Sequence, residues 1–128
     1  MSAFTINTTT EGNLVADPVL RTTNSGLEVC NFRIAVTSRS MRNGQEMEHT
    51  EFINVVAWND LGVNAEASLS KGDRVIVQGD LRNRSFEGKD GRTIPVTEIV
   101  AQSLGVSLRW HVVAGVEKAK LALAKADA

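Results

Sequence analysis

At 128 residues the chain is one ordinary domain, long enough to bury a core without help from a metal or a disulfide. Its 42% hydrophobic and 23% charged content fits a soluble globular protein; no run approaches the ~18 apolar residues of a membrane span, and the N-terminus lacks the basic flank and apolar stretch of a secretory signal, so a cytoplasmic chain with no membrane partner is expected. A formal charge of -1 argues against a globally basic nucleic-acid binder and leaves room for a local basic face.

Residues 3–9 and 14–16 read as an opening strand in two pieces, interrupted at Glu11 and Gly12 and followed by the turn signal Asp17–Pro18. In LEVCNFRIAVTSRS, Cys30, Phe32, Ile34 and Val36 alternate with Val29, Asn31, Arg33, Ala35 and Thr37, the period of a half-buried strand. Cys30 is the one cysteine, so it makes no internal disulfide and reads as a small buried hydrophobe. Asn43–Gly44 is a strong hairpin-turn signal. Beyond it, TEFINVVAWND sets Ile53, Val55 and Ala57 on one face and Phe52, Asn54, Val56 and Trp58 on the other. These two segments are expected to pair as a long hairpin.

After Trp58, NDLGVNAEASL predicts a short helix, with Asn59 or Asp60 near its start and Ala65, Ala67 and Leu69 available for packing. Lys71–Gly72–Asp73 marks a turn into a strand whose Val75 and Val77 oppose Ile76 and Gln78. A second hairpin follows, with arms 81–86 and 92–100 around EGKDG, and Pro95 marks its second arm as an edge or an irregular strand. Five strand segments and one short helix suit an all-β fold, a small curled OB-like barrel, better than a helix bundle or a βαβ enzyme. SLGVSLRWHVV, residues 103–113, predicts an extra C-terminal strand, and 114–128 an Ala/Lys-rich terminal helix or tail. The domain is thus expected over 1–113.

The parity shared by Phe52 and Trp58 raises two readings. Large aromatics commonly fill a core or a subunit interface; outside a barrel they offer flat surfaces on which bases stack. Phe86 beside Arg84, with Arg33, Arg39 and Arg42 around the other hairpin, adds aromatic and basic interleaving, although a lone surface arginine is ordinarily just solvated. Signals of catalysis are missing from the pattern. His49 and His111 belong to no close metal motif, Cys30 has no C-x-x-C partner, the serines form no nucleophile motif, and there is no phosphate-binding glycine loop. No enzyme, metal or cofactor is expected.

Taken in order, EGNL, ADPVLR, NFRIAVTSR, TEFINVVAWN, KGDRVIVQGDLRNRSF and GRTIPVTEIVAQSLG resemble the bacterial single-stranded DNA-binding protein family over about residues 4–113. SLGVSLRW resembles members from high-GC Gram-positive bacteria, in which an added C-terminal strand clamps neighbouring subunits. The resemblance implies an OB fold, a homotetramer, and binding of single-stranded DNA largely without sequence preference, protecting it during replication, recombination or repair. It assigns base stacking to Phe52, Trp58 and Phe86 and phosphate contact to Arg84, with Arg33, Arg39 and Arg42 as further phosphate-contact candidates. Trp110 is the residue expected at an oligomer interface. Met41 stands where relatives often carry a stacking tryptophan, and Asn54, Asp60 and Ser85 stand where many carry a basic residue. The end, KAKLALAKADA, lacks the acidic Pro-Phe tip through which members recruit other proteins, so recruitment by that route is not expected. The competing readings are an OB module that binds protein or RNA, and a specialised accessory paralogue.

Overall fold

The computed structural model describes residues 5–117, and within it the alternation around Cys30 becomes one arm of a long hairpin. The elements run β1 (Ile6–Leu14), β2 (Val19–Thr22), β3 (Glu28–Arg42), β4 (Gln45–Trp58), α1 (Asn59–Ser68), β5 (Arg74–Glu87) and β6 (Thr93–Val106). The β3–β4 pairing runs from Val29↔Trp58 to Arg42↔Gln45, which leaves Asn43 and Gly44 as a two-residue turn. Both have positive φ, 52° and 76°, the left-handed pair that matches the twist of the flanking strands.

Because side chains alternate across a strand, this register decides what is inside. Cys30, Phe32 and Ile34 of β3 enter the core beside Val55 and Ala57 of β4, joined by Leu14, Val75, Val77, Ile99 and Ala101. Each fully buried Val, Leu, Ile or Phe contributes about 1.5–3 kcal/mol relative to exposure. Burial also raises the Cys30 thiol above its usual value, with Glu66 adding to the effect; it packs as the small hydrophobe its position predicts. Asn59 turns the end of β4 into α1 through a positive φ of 58°, which asparagine tolerates. The helix packs Leu61, Ala65 and Leu69 on the core at four-residue spacing. Ala67, predicted to pack as well, lies exposed on the other side of the helix.

The sheet order is β1-β5-β6-β4-β3-β2, with an additional β1–β3 pairing that closes the first five of these into a barrel. This is the five-stranded OB-type barrel with one short helix. Two further local expectations differ from the structure. The opening strand is not interrupted at Glu11 and Gly12: β1 pairs with β5 from Ile6↔Leu81 to Asn13↔Arg74 and reaches β3 at Asn13↔Ala35 and Leu14↔Ile34. Gly12 lies at this change of partner, and a Cβ there would stand 2.7 Å from the Ala35 carbonyl oxygen. The glycine therefore permits the crossing that it was read as breaking.

The strand outside the ring is β2, bonded to β3 alone, and not residues 103–113. Ser103–Val106 continue β6 past a bulge at which Gln78 faces Ser103 while Gly79 faces Ala101. The extra residue shifts the alternation, so the end of one strand resembles the start of another. Residues 107–113 leave the sheet. Residues 118–128 of the expected tail lie outside the described residues.

The segment after β6 is tied to the barrel by polar contacts. The Ser107 amide donates to the Arg74 carbonyl at 2.9 Å, and its hydroxyl donates to Glu11 Oε2 at 3.1 Å. Arg74 pairs with Glu11 through Nε and donates from Nη1 to Asn13 Oδ1 at 3.0 Å. Its guanidinium also lies 4.5 Å from the centre of the Trp110 ring. The Arg74 hydrogen bond is the largest influence on Glu11; with help from Ser107 and against partial desolvation, it holds the carboxyl below its usual value.

Two outcomes are expected. Gly12→Ala lowers stability by roughly 1–3 kcal/mol through overpacking at the closure, measured by chemical denaturation; an unchanged midpoint and slope would show that β1 closes without close backbone approach. The second concerns acid. A carboxylate depressed in the fold stabilises it fully at neutral pH, and that contribution is lost as pH falls through the depressed folded value. Melting temperature should therefore fall more steeply on acidification below the usual carboxylate range in the parent than in Glu11→Gln, and parallel profiles would remove the Glu11–Arg74 pair as the cause.

Candidate nucleic-acid interface

The residues that alternate with the core of β3 and β4 form the outer face of the barrel wall. Register places Ala35 opposite Phe52, Arg33 opposite Asn54, Asn31 opposite Val56 and Val29 opposite Trp58. Beside them in β6, Glu98 is opposite Asn54 and Val100 opposite Val56. In β5, Arg82 faces Glu98 and Arg84 faces Val96. From the outer side β2 adds Val19 opposite Asn31 and Arg21 opposite Val29. Four strands thus contribute to one surface beside β2, and among the described residues no helix covers it.

Phe52 is 58% exposed and Trp58 39%. These two aromatics cover no core: their parity turns them outward, while Ile53, Val55 and Ala57 face the interior. Trp58 is the more enclosed, lining a hollow with Arg21, Val56, Arg82 and Val100. Phe52 lines another with Arg33, Asn54, Arg84 and Ile94. A third, between them, holds Val19, Asn31, Arg33, Arg84 and Glu98. Arg84 borders all three, so the hollows form one track across the strands with Arg84 near its middle. Phe86 pairs with Ile94 through the backbone; its side chain lies outside the described residues.

The basic side chains are not equivalent. Arg33 donates from Nε to Asn54 Oδ1 at 3.3 Å, and Arg21 from Nε to Asn31 Oδ1 at 3.4 Å. Arg84 Nε lies 3.4 Å from Oε1 of Glu98, a carboxylate in a residue only 8% exposed. Arg39, far out on the hairpin, is already ion-paired to Glu46 at 3.7 Å and Glu48 at 3.4 Å. Arg42 stands at the hairpin end, as does exposed Met41. The structure brings Phe52, Trp58, Arg33 and Arg84 together and sets Arg39 and Arg42 apart from them, on the arm beyond Phe52. Trp110 is elsewhere, against Arg74 and 67% exposed.

Sequence reasoning missed Arg21, Arg82, Asn31 and Glu98. Arg21 belongs to a strand of four residues, too short for alternation to declare itself. Glu98 reads as an ordinary solvated acid until β6 is laid between β4 and β5. Both histidines stand beside a carboxylate: His49 pairs with Glu51 at 2.6 Å and His111 faces Asp73 at 3.9 Å. No group of His, Cys, Asp and Glu side chains among the described residues is arranged to hold a metal ion. No helix among them is long and apolar enough to cross a membrane.

A closed five-strand barrel with one short helix is an OB-type fold, and its outer wall here sets separated aromatics between arginines. Comparison with known proteins agrees: the model of the single-strand binding protein family matches residues 6–107, and the chain belongs to that family. It is 48% identical over 107 residues to the single-stranded DNA-binding protein of Corynebacterium glutamicum, covering 81% of this chain and 48% of that one. It is 42% identical over 105 residues to the corresponding protein of Mycolicibacterium smegmatis, covering 80% of this chain and 64% of that one. The chain thus spans about half to two-thirds of the length of these curated relatives. A crystal structure of the small single-stranded DNA-binding protein from Streptomyces coelicolor superposes with a TM-score of 0.71 at 34% identity, covering 81% of this chain and 95% of that one.

Proposed function

We propose that the chain binds single-stranded DNA without sequence preference along the track from Trp58 to Phe52, protecting exposed strands during replication, recombination or repair. The observation that carries the reading is the exposure of both aromatics on one uncapped face, with Arg84 bordering every hollow between them. Every base has a face that stacks on an aromatic ring, and every nucleotide has a phosphate, so both kinds of contact ignore sequence. Phe52, Trp58 and, from the family resemblance, Phe86 stack bases. Arg84 and Arg33 meet phosphates. Arg42 makes no ion pair among the described residues and is available to a longer strand. Arg39 has less to offer, since Glu46 and Glu48 already meet its charge.

The net charge of -1 is compatible with this action because the cations are local. Duplex DNA buries its base faces in its own stack, so a wall of flat aromatics selects unpaired strands. The resemblance extends to a cytoplasmic homotetramer. Leu108, Trp110 and Val112 support a subunit contact in this chain: all three are strongly exposed in the single copy, and large apolar side chains left in solvent suit burial against a neighbour.

Labelled single- and double-stranded oligonucleotides of equal length, titrated over a range of salt, test the reading. The single strand is expected to bind more tightly throughout, and no preference at any salt would sink it; tighter binding of equal-length RNA would shift the assignment to that polymer. Phe52→Ala, Trp58→Ala and Phe86→Ala should each cost roughly 1–3 kcal/mol of binding with the barrel still folded by circular dichroism. Full affinity in all three would discard the stacking surface. Arg84→Ala is expected to weaken binding to all sequences alike and to reduce the salt dependence by about one phosphate contact. For assembly, sedimentation should give a tetramer for the parent and a weaker one for Trp110→Ala; a monomeric parent overturns the first expectation and an equally stable variant the second.

A further inference from the structure

Three arginines on the binding face share a feature that their sequence positions do not announce. Arg21, Arg33 and Arg84 are each met at Nε by an acceptor on the neighbouring strand: Asn31 Oδ1 at 3.4 Å, Asn54 Oδ1 at 3.3 Å and Glu98 Oε1 at 3.4 Å. Among the described residues no other partner holds their terminal amino groups. Arginines that serve the fold behave differently. Arg74 engages both Nε and Nη1, with Glu11 and Asn13, and Arg39 both Nε and Nη1, with Glu48 and Glu46. Arg92 is also met at Nε alone, by Asp90 at 3.5 Å, but from within its own turn and not across the sheet.

A guanidinium has five donors in a rigid plane. Fixing Nε to the adjacent strand fixes that plane and turns the two remaining nitrogens outward as a fork, the geometry that meets two phosphate oxygens at once. The three acceptors are set down in the sheet: Asn31 and Asn54 are half-buried and Glu98 is buried. Two are neutral amides, which orient an arginine without cancelling its charge. The third is a carboxylate, and it lies below Arg84, the arginine that borders all three hollows.

We propose that Asn31, Asn54 and Glu98 are positioning residues for DNA phosphates, holding Arg21, Arg33 and Arg84 as pre-oriented forks along the track. In this role they act on the phosphates through the arginines. Their effect is to remove in advance the side-chain freedom that each arginine would otherwise lose on binding. This adds Arg21, on the strand outside the ring, to the phosphate-binding set. It also gives the buried carboxylate of Glu98 a purpose on a face that otherwise favours anions. The proposal rests on the single-strand reading above, and its test is arranged so that the two fail separately.

The first measurement needs no DNA. In Asn54→Val and Asn31→Val, the Nε–H signals of Arg33 and Arg21 respectively should show faster side-chain motion by nitrogen-15 relaxation, with the remaining arginines unchanged. The second is a double-mutant cycle read by binding to a labelled oligothymidylate. Asn54→Val should weaken binding roughly two- to tenfold, the range expected for freeing one restrained long side chain. That loss should vanish when Arg33→Ala is already present, and the Asn31→Val loss should vanish in Arg21→Ala. Glu98→Gln, which keeps an acceptor, should bind more tightly than Glu98→Leu, which does not. Losses that persist undiminished in the arginine-free backgrounds, unchanged arginine motion, or equal affinities for the two Glu98 variants would overturn the proposal. A parent chain with no single-strand preference would instead overturn the functional reading beneath it.

Discussion

Closure of β1 onto β3 is the constraint from which the remaining architecture follows. A curled sheet with an open edge would leave Leu14, Ile34 and Val77 with one side in water; when Asn13 and Leu14 reach Ala35 and Ile34, the concave face becomes an interior. The crossing is narrow. Gly12 permits it because the Ala35 carbonyl stands where a side chain would begin. Once the ring is shut, every strand has one committed face, and period-two alternation assigns its other face to solvent. The outward candidates for binding need no separate device to expose them. They are what remains when the core has taken its half.

That division explains how a chain of net charge -1 can present a cationic track. Acids and bases are sorted by strand and by face. On the outward side of the β3–β4 hairpin, Phe52 and Arg33 lie over the barrel, whereas Glu46 and Glu48 lie farther out and pair with Arg39. The basic character is thus concentrated on the outer face, where side chains of β2, β3 and β5 line shared hollows across β4 and β6. Asn31 and Asn54 contribute to it without adding charge, since each takes an arginine Nε and leaves the positive charge whole. Trp110 belongs to a different part of the molecule, where Arg74, Glu11 and Ser107 tie the segment after β6 to the barrel.

Much of the fold was legible in local pattern. Alternation around Cys30 and from Phe52 to Trp58, with Asn43–Gly44 between, predicts the hairpin and its inside face, because a tight turn of defined hand leaves little choice of register. The helix and the second hairpin were legible for similar reasons. Errors fell where one strand does two things. A glycine at a change of partner resembles a break, and a bulge resembles a boundary, since both interrupt local periodicity while pairing continues. Of the candidate site, Phe52, Trp58, Arg33 and Arg84 were named from parity and resemblance. Arg21 and Glu98 were not, since their meaning lies in partners ten and fourteen residues away.

Local residue order was therefore sufficient for the elements, for the side of each long strand that seeks the core, and for membership of the single-strand binding protein family. These are short-range properties: turn chemistry, alternation and motif order act within a few residues or along one line of sequence. Strand order, the place of β2 outside the ring and the gathering of Asn31, Asn54 and Glu98 beneath three arginines were settled by packing in three dimensions. A hydrogen bond between strands depends on which strands are neighbours, and in a closed barrel that choice is made by all of them together, when the last edge finds its partner.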